Sequence, residues 1–178
     1  GGDAFAQSVV TFDAREQIMV INYPYRPERL KITDGVEMYG GTTHHSIVKM
    51  ELGEVEKEVL FDTGADGFLL LNAAVFKEIE ENGNGERVAR GCGINGIGLE
   101  GLCDPVEIEK VNVKEMIVLG KKFTNVGSVI SERNSTLVGV DLLKYGKVVI
   151  DYMRNRLYFF PFDSGASDMG GAPKTWNV

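Results

Sequence analysis

Two carboxylates interrupt an apolar run in the stretch VLFDTGADGFLLL, which spans residues 59–71. An unpaired ionised carboxylate costs several kcal/mol in an apolar setting, so an ordinary buried strand would not contain them. We predict that a strand ends at Phe61, that Gly64 allows a tight turn and that the hydroxyl of Thr63 stabilises it. Asp62 is then presented by a rigid loop against a hydrophobic core, which suits a functional carboxylate. The alternative is an ordinary turn with a solvated Asp.

The elements that must position this loop are strands. Short apolar segments rich in Val, Ile, Phe and Tyr recur between turns that contain Gly, Asn and Lys, as in an all-β barrel or sandwich. The pattern predicts strands at Val9–Phe12, Ile18–Ile21, Arg29–Thr33, Ser46–Leu52, Lys57–Phe61, Phe68–Leu71, Val88–Gly91, Glu107–Val113, Glu115–Leu119, Lys122–Val126, Leu137–Val140, Lys147–Tyr152 and Leu157–Pro161.

Two segments have a helical pattern. In NAAVFKEIEENG, Asn72 can cap a helix and Gly83 can end it. Phe76 and Ile79 recur there at helical spacing. The stretch DLLKYG after Val140 is opened by an Asp and closed by a Gly, which predicts a second, shorter helix.

Composition limits the classes of function. The chain has 178 residues and 43% hydrophobic content, enough for one domain, or for one domain and a fragment of another. Its net charge of -7, without a basic cluster, argues against nucleic acid as a partner. No apolar run approaches the ~20 residues that a membrane-spanning helix needs. The chain begins GGDAFAQ without a Met, so any targeting segment would lie outside it.

The two cysteines, Cys92 and Cys103, bracket the stretch GINGIGLEGL. A hairpin that turns between Ile97 and Gly98 would bring them opposite each other, whereas a turn centred on Asn95-Gly96 would not. Both turns remain open. A disulfide would indicate an oxidising compartment, periplasmic or secreted, and without one the compartment is undetermined.

The heptapeptide LFDTGAD at residues 60–66 resembles the catalytic loop of the retropepsin-like members of the aspartic protease clan. That loop reads hydrophobic-hydrophobic-Asp-Thr-Gly-Ala, and every position matches. The Gly-rich stretch RGCGINGIGLEGL at residues 90–102 lies where this family has a hairpin flap. A second family motif is a hydrophobic-hydrophobic-Gly strand followed by a short helix, and TLVGVDLLKYGKVVIDYMRNRLYFFPF at residues 136–162 resembles it. Three motifs in the family's order are far more specific than one.

The resemblance implies a closed acid-protease barrel, all-β with one or two short helices. It also implies an aspartic endopeptidase that hydrolyses peptide bonds with a water activated between two Asp carboxylates, and it implies no cofactor. Asp62 would be the catalytic carboxylate. The other implied site residues are the active-site loop supports Thr63, Gly64 and Ala65, the substrate-binding residues Asp66, Ile94, Gly96, Ile97 and Gly98, and the loop-flanking strand Leu137, Val138 and Gly139.

Two of these assignments have alternatives. Asp66 would bind the substrate backbone or an internal Arg, and a structural salt bridge with Arg87 or Arg90 is equally consistent with the sequence. The pair His44-His45 suggests a metal, but adjacent residues on a strand point to opposite faces and no third ligand is evident. The sequence therefore predicts no metal site.

The second carboxylate is not in this chain, which contains one Asp-Thr-Gly. It would come from a homodimer or from a second retropepsin-like half. The stretch SVVTFDAREQIMVI at residues 8–21 resembles KVVIDYMRNRLYFF at residues 147–160. A real repeat would make the start of the chain the closing hairpin of a preceding half. The alternative is an N-terminal extension that adds edge strands.

The predicted domain organisation follows. The division is residues 1–22 as closing hairpin or edge strands, 23–42 as linker, 43–162 as the protease domain and 163–178 as a polar tail. Trp176 is the only candidate anchor for that tail. The partners implied are a peptide or protein substrate and the second half. The competing function is a catalytically silent, peptide-binding or structural half of a pseudo-dimer.

Overall fold

The computed structural model describes residues 2–25, 30–40, 44–94, 97–98, 101–102, 105–131 and 135–173. Within these residues the chain is mainly β, with one α-helix, α1 (Ala73–Glu81), and short 3-10 helices, which confirms the all-β prediction. The strands in chain order are β1 (Val9–Asp13), β2 (Ile18–Asn22), β3 (Val36–Glu37), β4 (Ile47–Leu52), β5 (Val55–Asp62), β6 (Leu69–Asn72), β7 (Gly85–Ile94), β8 (Ile97–Gly98), β9 (Gly101–Leu102), β10 (Pro105–Val118), β11 (Lys121–Ser131), β12 (Leu137–Gly139), β13 (Gly146–Asp151), β14 (Arg156–Pro161) and β15 (Ser167–Asp168).

The larger sheet closes into a barrel. Its strand order is β15-β11-β6-β12-β5-β4-β10-β7, and β10 also pairs with β11, so six strands form a closed ring. Alternate residues of each strand face the interior. In β4, for example, Val48 and Met50 are buried while Lys49 and Glu51 are exposed. The closed ring leaves its strands without free edges.

The second sheet lies against the barrel and has the order β2-β1-β13-β14-β3. On one face, Val148, Ile150 and Leu157 join the barrel core. On the other face is a smaller apolar cluster whose members are Val9, Val149, Tyr158, Tyr25 and Leu30. The N-terminal hairpin and the segment after it are therefore packed against the closing strands of the chain.

Helix α1 forms as the sequence predicts. The side chain of Asn72 caps it by accepting the N–H of Ala74 at 2.8 Å. Phe76 and Ile79 are buried in the barrel core. Gly83 follows the helix with φ of 73°, a conformation that glycine adopts without strain. Among the described residues no helix is long and apolar enough to cross a membrane.

The strand predicted at Arg29–Thr33 is wrong. The described part of this segment contains a 3-10 helix, Ile32–Asp34, in which Asp34 N–H donates to Lys31 O at 3.1 Å. The following Gly35 N–H donates to Ile32 O at 3.3 Å. The stretch Thr-Asp-Gly favours a turn, and this local signal outweighs the apolar residues before it.

The break predicted at Lys114 is also wrong, because β10 runs through it. The N–H of Lys114 donates to Asn84 O at 2.9 Å. The Asn84 side chain exchanges two hydrogen bonds with the backbone of Glu115, at 2.9 and 3.0 Å, in the manner of a neighbouring strand. β11 extends to Ser131, beyond the predicted end at Val126. The small polar residues in this part of β11 do not show the apolar pattern by which a strand is recognised in a sequence. Ser128 is nevertheless buried there, and its hydroxyl donates to a backbone carbonyl.

The segment after the last long strand is attached to the barrel. β15 pairs in parallel with β11, so that Phe123 lies opposite Ser167. Met169 packs against the core, and its N–H donates to Thr124 O at 2.9 Å. These contacts anchor residues 163–173 to the barrel. Trp176, the anchor considered from the sequence, lies outside the described residues.

Candidate active site

Asp62 is the last residue of β5 and is held on both sides by other strands. β4 pairs with β5 in antiparallel fashion, and β12 pairs with it in parallel, with Gly139 opposite Asp62. The preceding residue, Phe61, is buried, and its N–H donates to Ser46 O at 2.9 Å. The half-buried Asp62 therefore projects from a fixed backbone at the edge of the core.

The loop after Asp62 folds back on the carboxylate. Asp62 Oδ1 accepts the N–H of Gly64 at 2.9 Å, and Asp62 O accepts the N–H of Ala65 at 3.2 Å. A Cβ on residue 64 would lie 3.2 Å from Asp62 Oδ1, so glycine allows this close approach. The residue of the loop with left-handed backbone is Gly67, with φ of 85°. Thr63 is exposed, and among the described residues no partner is found for its hydroxyl.

β12 lies between β5 and β6, the two strands that flank the loop. This arrangement closes the loop with backbone hydrogen bonds. Gly139 N–H donates to Phe68 O at 2.9 Å, and the two following N–H groups donate to Ala65 O and Gly67 O, each at 3.0 Å. Leu137 and Val138 pair with both flanking strands. The loop is thus fixed by a distant part of the chain.

Gly139→Ala should disturb the loop directly. A Cβ at this position would lie 2.5 Å from Gly67 O and 2.7 Å from Ala65 O, and neither backbone atom can move without shifting the loop. We expect the free energy of unfolding to fall by about 1–3 kcal/mol. Chemical denaturation measures this, with Ser135→Ala, at an exposed position of the same segment, as the control. Unchanged stability of Gly139→Ala would contradict the packing described.

The predicted flap is a hairpin that extends from the barrel. β7 pairs with β10, with Ile94 opposite Pro105, and β8 pairs with β9, with Ile97 opposite Leu102. Gly98 ends β8, and Gly96 lies outside the described residues.

The same register decides between the hairpin turns considered from the sequence. Cys92 lies opposite Glu107, and Gly98 lies opposite Gly101, so the hairpin turns after Gly98 rather than at either predicted position. A turn that puts Cys103 opposite Cys92 is therefore wrong. Cys103 itself lies outside the described residues.

The salt bridge proposed between Asp66 and an arginine is also wrong. Arg87 pairs with Glu80 at 2.9 Å and with Glu109, and Arg90 pairs with Glu109 at 2.7 Å. Arg87 thus links α1 to β10, and Arg90 links β7 to β10. Asp66 is exposed on the active-site loop.

A cavity of about 350 Å³ opens beside Asp62 and Thr63. Its lining includes several residues that the sequence interpretation did not place at the site, namely Phe5, Phe12, His44, His45, Ser46 and Tyr152. His44 and His45 share this cavity, although a strand would put them on opposite faces, because His44 has φ of 53°. Among the described residues, no group of three His, Cys, Asp or Glu side chains could hold a metal ion.

Tyr152 forms an aromatic wall of this cavity. Its ring stacks on Phe5 with centroids 6.5 Å apart and meets His44 edge-on at 6.4 Å. Burial raises the pKa of its phenol, against a smaller opposing effect of a hydrogen bond with Ser46. The sequence signal nearest to these residues was the resemblance between the N-terminal and closing hairpins, which did not predict that the residues beside them meet at one cavity.

The structure defines an all-β protein with a closed six-stranded barrel, in which a half-buried Asp ends a barrel strand beside a cavity. No protein-family model matches the sequence, and no curated protein sequence matches it. Among solved structures, the chain is similar to a retropepsin-like aspartic protease from Rickettsia conorii, with a TM-score of 0.47 and 17% sequence identity. The match covers 69% of this chain and 94% of that one, and it concerns the fold alone.

Proposed function

We propose that this chain is part of an aspartic endopeptidase and that Asp62 is one of its two catalytic carboxylates. The observation that carries the proposal is the loop geometry. The carboxylate at the end of β5 receives a backbone N–H from Gly64 at 2.9 Å and lines a cavity of about 350 Å³. The hydrogen bond from the Gly64 backbone and the rigid loop hold the carboxylate in one orientation.

Peptide hydrolysis then needs a partner carboxylate close to Asp62. Two carboxylates at short distance cannot both be ionised, so the pair shares one proton. The ionised carboxylate removes a proton from water, and the protonated one donates its proton to the carbonyl oxygen of the scissile amide. The resulting attack gives a tetrahedral intermediate, and its collapse releases an amine and a carboxylic acid. This chain contains a single Asp-Thr-Gly, so the second carboxylate comes from a partner chain or a second unit.

The remaining site residues have supporting roles in this proposal. Gly64 supplies its N–H to Asp62, and the strand that ends at Gly139 holds the loop closed. Asp66, which is exposed on the loop, would bind the substrate backbone. The flap, with the substrate-binding residues Ile94, Gly96, Ile97 and Gly98, would pair with an extended peptide through backbone hydrogen bonds and exclude water from the carboxylates.

The second candidate function is a catalytically silent half that binds peptides or stabilises a partner. It is favoured by one observation, the single Asp-Thr-Gly of the chain. A monomer of this chain has only one of the two catalytic carboxylates that cleavage needs. The second candidate function therefore predicts that the chain binds peptides without cleaving them.

The test is cleavage of an unbiased peptide mixture between about pH 4 and 7, the range expected of two carboxylates that share a proton. Mass spectrometry of the products locates the cut bonds. Cleavage that rises faster than linearly with protein concentration would indicate a homodimer, and cleavage only with a second unit present would indicate a two-unit enzyme. Absence of cleavage in the complete assembly, with both carboxylates present, would contradict the proposed function.

A further inference from the structure

The hairpins β1–β2 and β13–β14 have the same turn. In each, four turn residues, 14–17 and 152–155, connect the strands. The last turn residue has left-handed backbone in both hairpins, with φ of 57° at Gln17 and 51° at Asn155. Left-handed backbone is uncommon for residues other than glycine, so its recurrence at the same position indicates a repeated structure.

An Asp stabilises both turns by the same contact. Asp13 Oδ1 accepts the N–H of Glu16 at 3.1 Å, and Asp151 Oδ1 accepts the N–H of Arg154 at 3.0 Å. The sequence similarity between the two hairpins is therefore a structural repeat.

The repeat continues on the N-terminal side of each hairpin. A 3-10 helix precedes each first strand, Gly2–Phe5 before β1 and Val140–Lys144 before β13. The sequences around their starts are GGDAF and GVDLL, and both begin with Gly-x-Asp. In the second copy this Gly is Gly139, which contacts the loop of Asp62. The first copy therefore corresponds to the part of a barrel that contacts a catalytic loop. The loop that it would contact is a second one, not the loop of Asp62.

The two copies are related by a local two-fold axis. β1 and β13 pair in antiparallel fashion, and Thr11 lies opposite its own counterpart, Val149. Rotation by half a turn about an axis through this pair, perpendicular to the sheet, superposes one hairpin on the other. Each residue stays on the same face of the sheet under this rotation.

The copies differ in what covers them. In β14, Leu157 is 0% exposed and Phe159 packs against the barrel core. Their counterparts in β2, Met19 and Ile21, are 48% and 47% exposed. Met19 lies opposite Phe12, which packs against the barrel core, so it belongs to the face that the barrel covers. β2 therefore has apolar residues on the face that packs against a barrel in the second copy, but in the first copy this face is exposed to solvent.

The outer edges of the two hairpins differ in the same way. β14 is paired along its outer edge with β3, and Leu157 lies opposite Val36. Among the described residues, β2 has no strand on its outer edge. Unpaired edges of apolar strands are sites at which another strand is added. The two-fold axis predicts a sixth strand at this edge.

We propose that residues 2–22 are the closing elements of a second barrel unit, which packs on Met19 and Ile21, adds a strand to β2 and supplies the second carboxylate opposite Asp62. This inference rests on the proposed function. Phe5, in the first copy, already lines the cavity at Asp62. A second copy of this chain cannot take the place of that unit, because its β13–β14 hairpin would coincide with β1–β2.

The first test uses the protein as translated from its own start codon. We expect a second Asp-Thr-Gly ahead of residue 1, and a particle that sediments as a monomer. In that protein, Asp→Asn in either motif should abolish cleavage. A natural protein without the second motif, or a 178-residue chain that cleaves peptides as a homodimer, would overturn the inference while leaving the proposed function intact. A protein with both motifs that does not cleave would overturn only the proposed function.

The second test locates the docking face. Met19→Lys with Ile21→Lys is compared with Ile18→Lys and Val20→Lys, which change the opposite face of the same exposed strand. In the 178-residue chain both double variants should unfold at the same temperature as each other. In the whole protein the first pair should lower kcat/KM at least tenfold, and the second should change it less than threefold. Equal effects of the two pairs in the whole protein would contradict the proposed packing.

Discussion

Replacement of Asp62 by Asn is expected to lower kcat for peptide cleavage by roughly 10³-fold, because an amide can neither remove a proton from water nor donate one to the carbonyl. The amide oxygen still accepts the N–H of Gly64, now 2.9 Å from Oδ1, so the loop should keep its conformation. The measurement is kcat for a peptide identified in the mixture assay, made in the assembly that cleaves. Circular dichroism and thermal unfolding of the variant should match those of the parent.

The matched control is Asp66→Asn, the same chemical change in the same loop. Asp66 is exposed and would contact substrate rather than water, so its replacement should raise KM with a smaller effect on kcat. Retention of more than a tenth of the activity by Asp62→Asn would exclude Asp62 as a catalytic residue. If Asp66→Asn lost as much activity as Asp62→Asn, the loss would reflect a disturbed loop conformation and not the chemistry of Asp62.

Replacement of Asp151 by Ala should have the largest effect on stability. Asp151 is 0% exposed, and its carboxylate accepts the backbone N–H of Arg154 at 3.0 Å, the Arg154 Nε at 2.5 Å and the Tyr25 hydroxyl at 3.2 Å. Removing it leaves these partly buried donors without this acceptor, which costs about 3 kcal/mol. Thermal unfolding should occur roughly 6–12 °C lower in a chain of this size.

The repeat supplies the control for this prediction. Asp13 is the counterpart of Asp151, but it is only half-buried and accepts one backbone N–H, from Glu16 at 3.1 Å. Asp13→Ala should therefore cost less than about 1 kcal/mol. Urea denaturation of both variants measures the difference. Equal losses would mean that the turn contact, and not the buried network around Asp151, determines stability.

Local signals in the sequence were sufficient for several elements. The alternation of apolar residues predicted β4 and β5, and their bounds differ from the prediction by only a few residues. The Asn72 cap and the Gly83 stop predicted α1, because these residues satisfy the helix ends within a few positions of themselves. Such predictions succeed because the decisive hydrogen bonds are short-range.

Other elements depended on distant residues, and the sequence did not reveal them. The continuity of β10 through Lys114 depends on Asn84, whose side chain completes the hydrogen bonding of a neighbouring strand. The attachment of residues 163–173 depends on a parallel pairing with β11. Asn84, which locally favours a turn, is buried because a remote backbone satisfies its side chain. Residues 163–173 are held by a strand that is distant in the sequence.

By itself the sequence determined that Asp62 follows an apolar strand in an Asp-Thr-Gly turn, and that the start of the chain resembles its closing hairpin. Only the tertiary structure decided that β12 lies between the strands that flank the loop, and that Phe5 and Tyr152 meet at the same cavity. The physical reason is the range of the interactions. Turn geometry and strand alternation are set by neighbouring residues, whereas pairing between distant strands is selected by the burial of apolar faces and by backbone groups that must find partners.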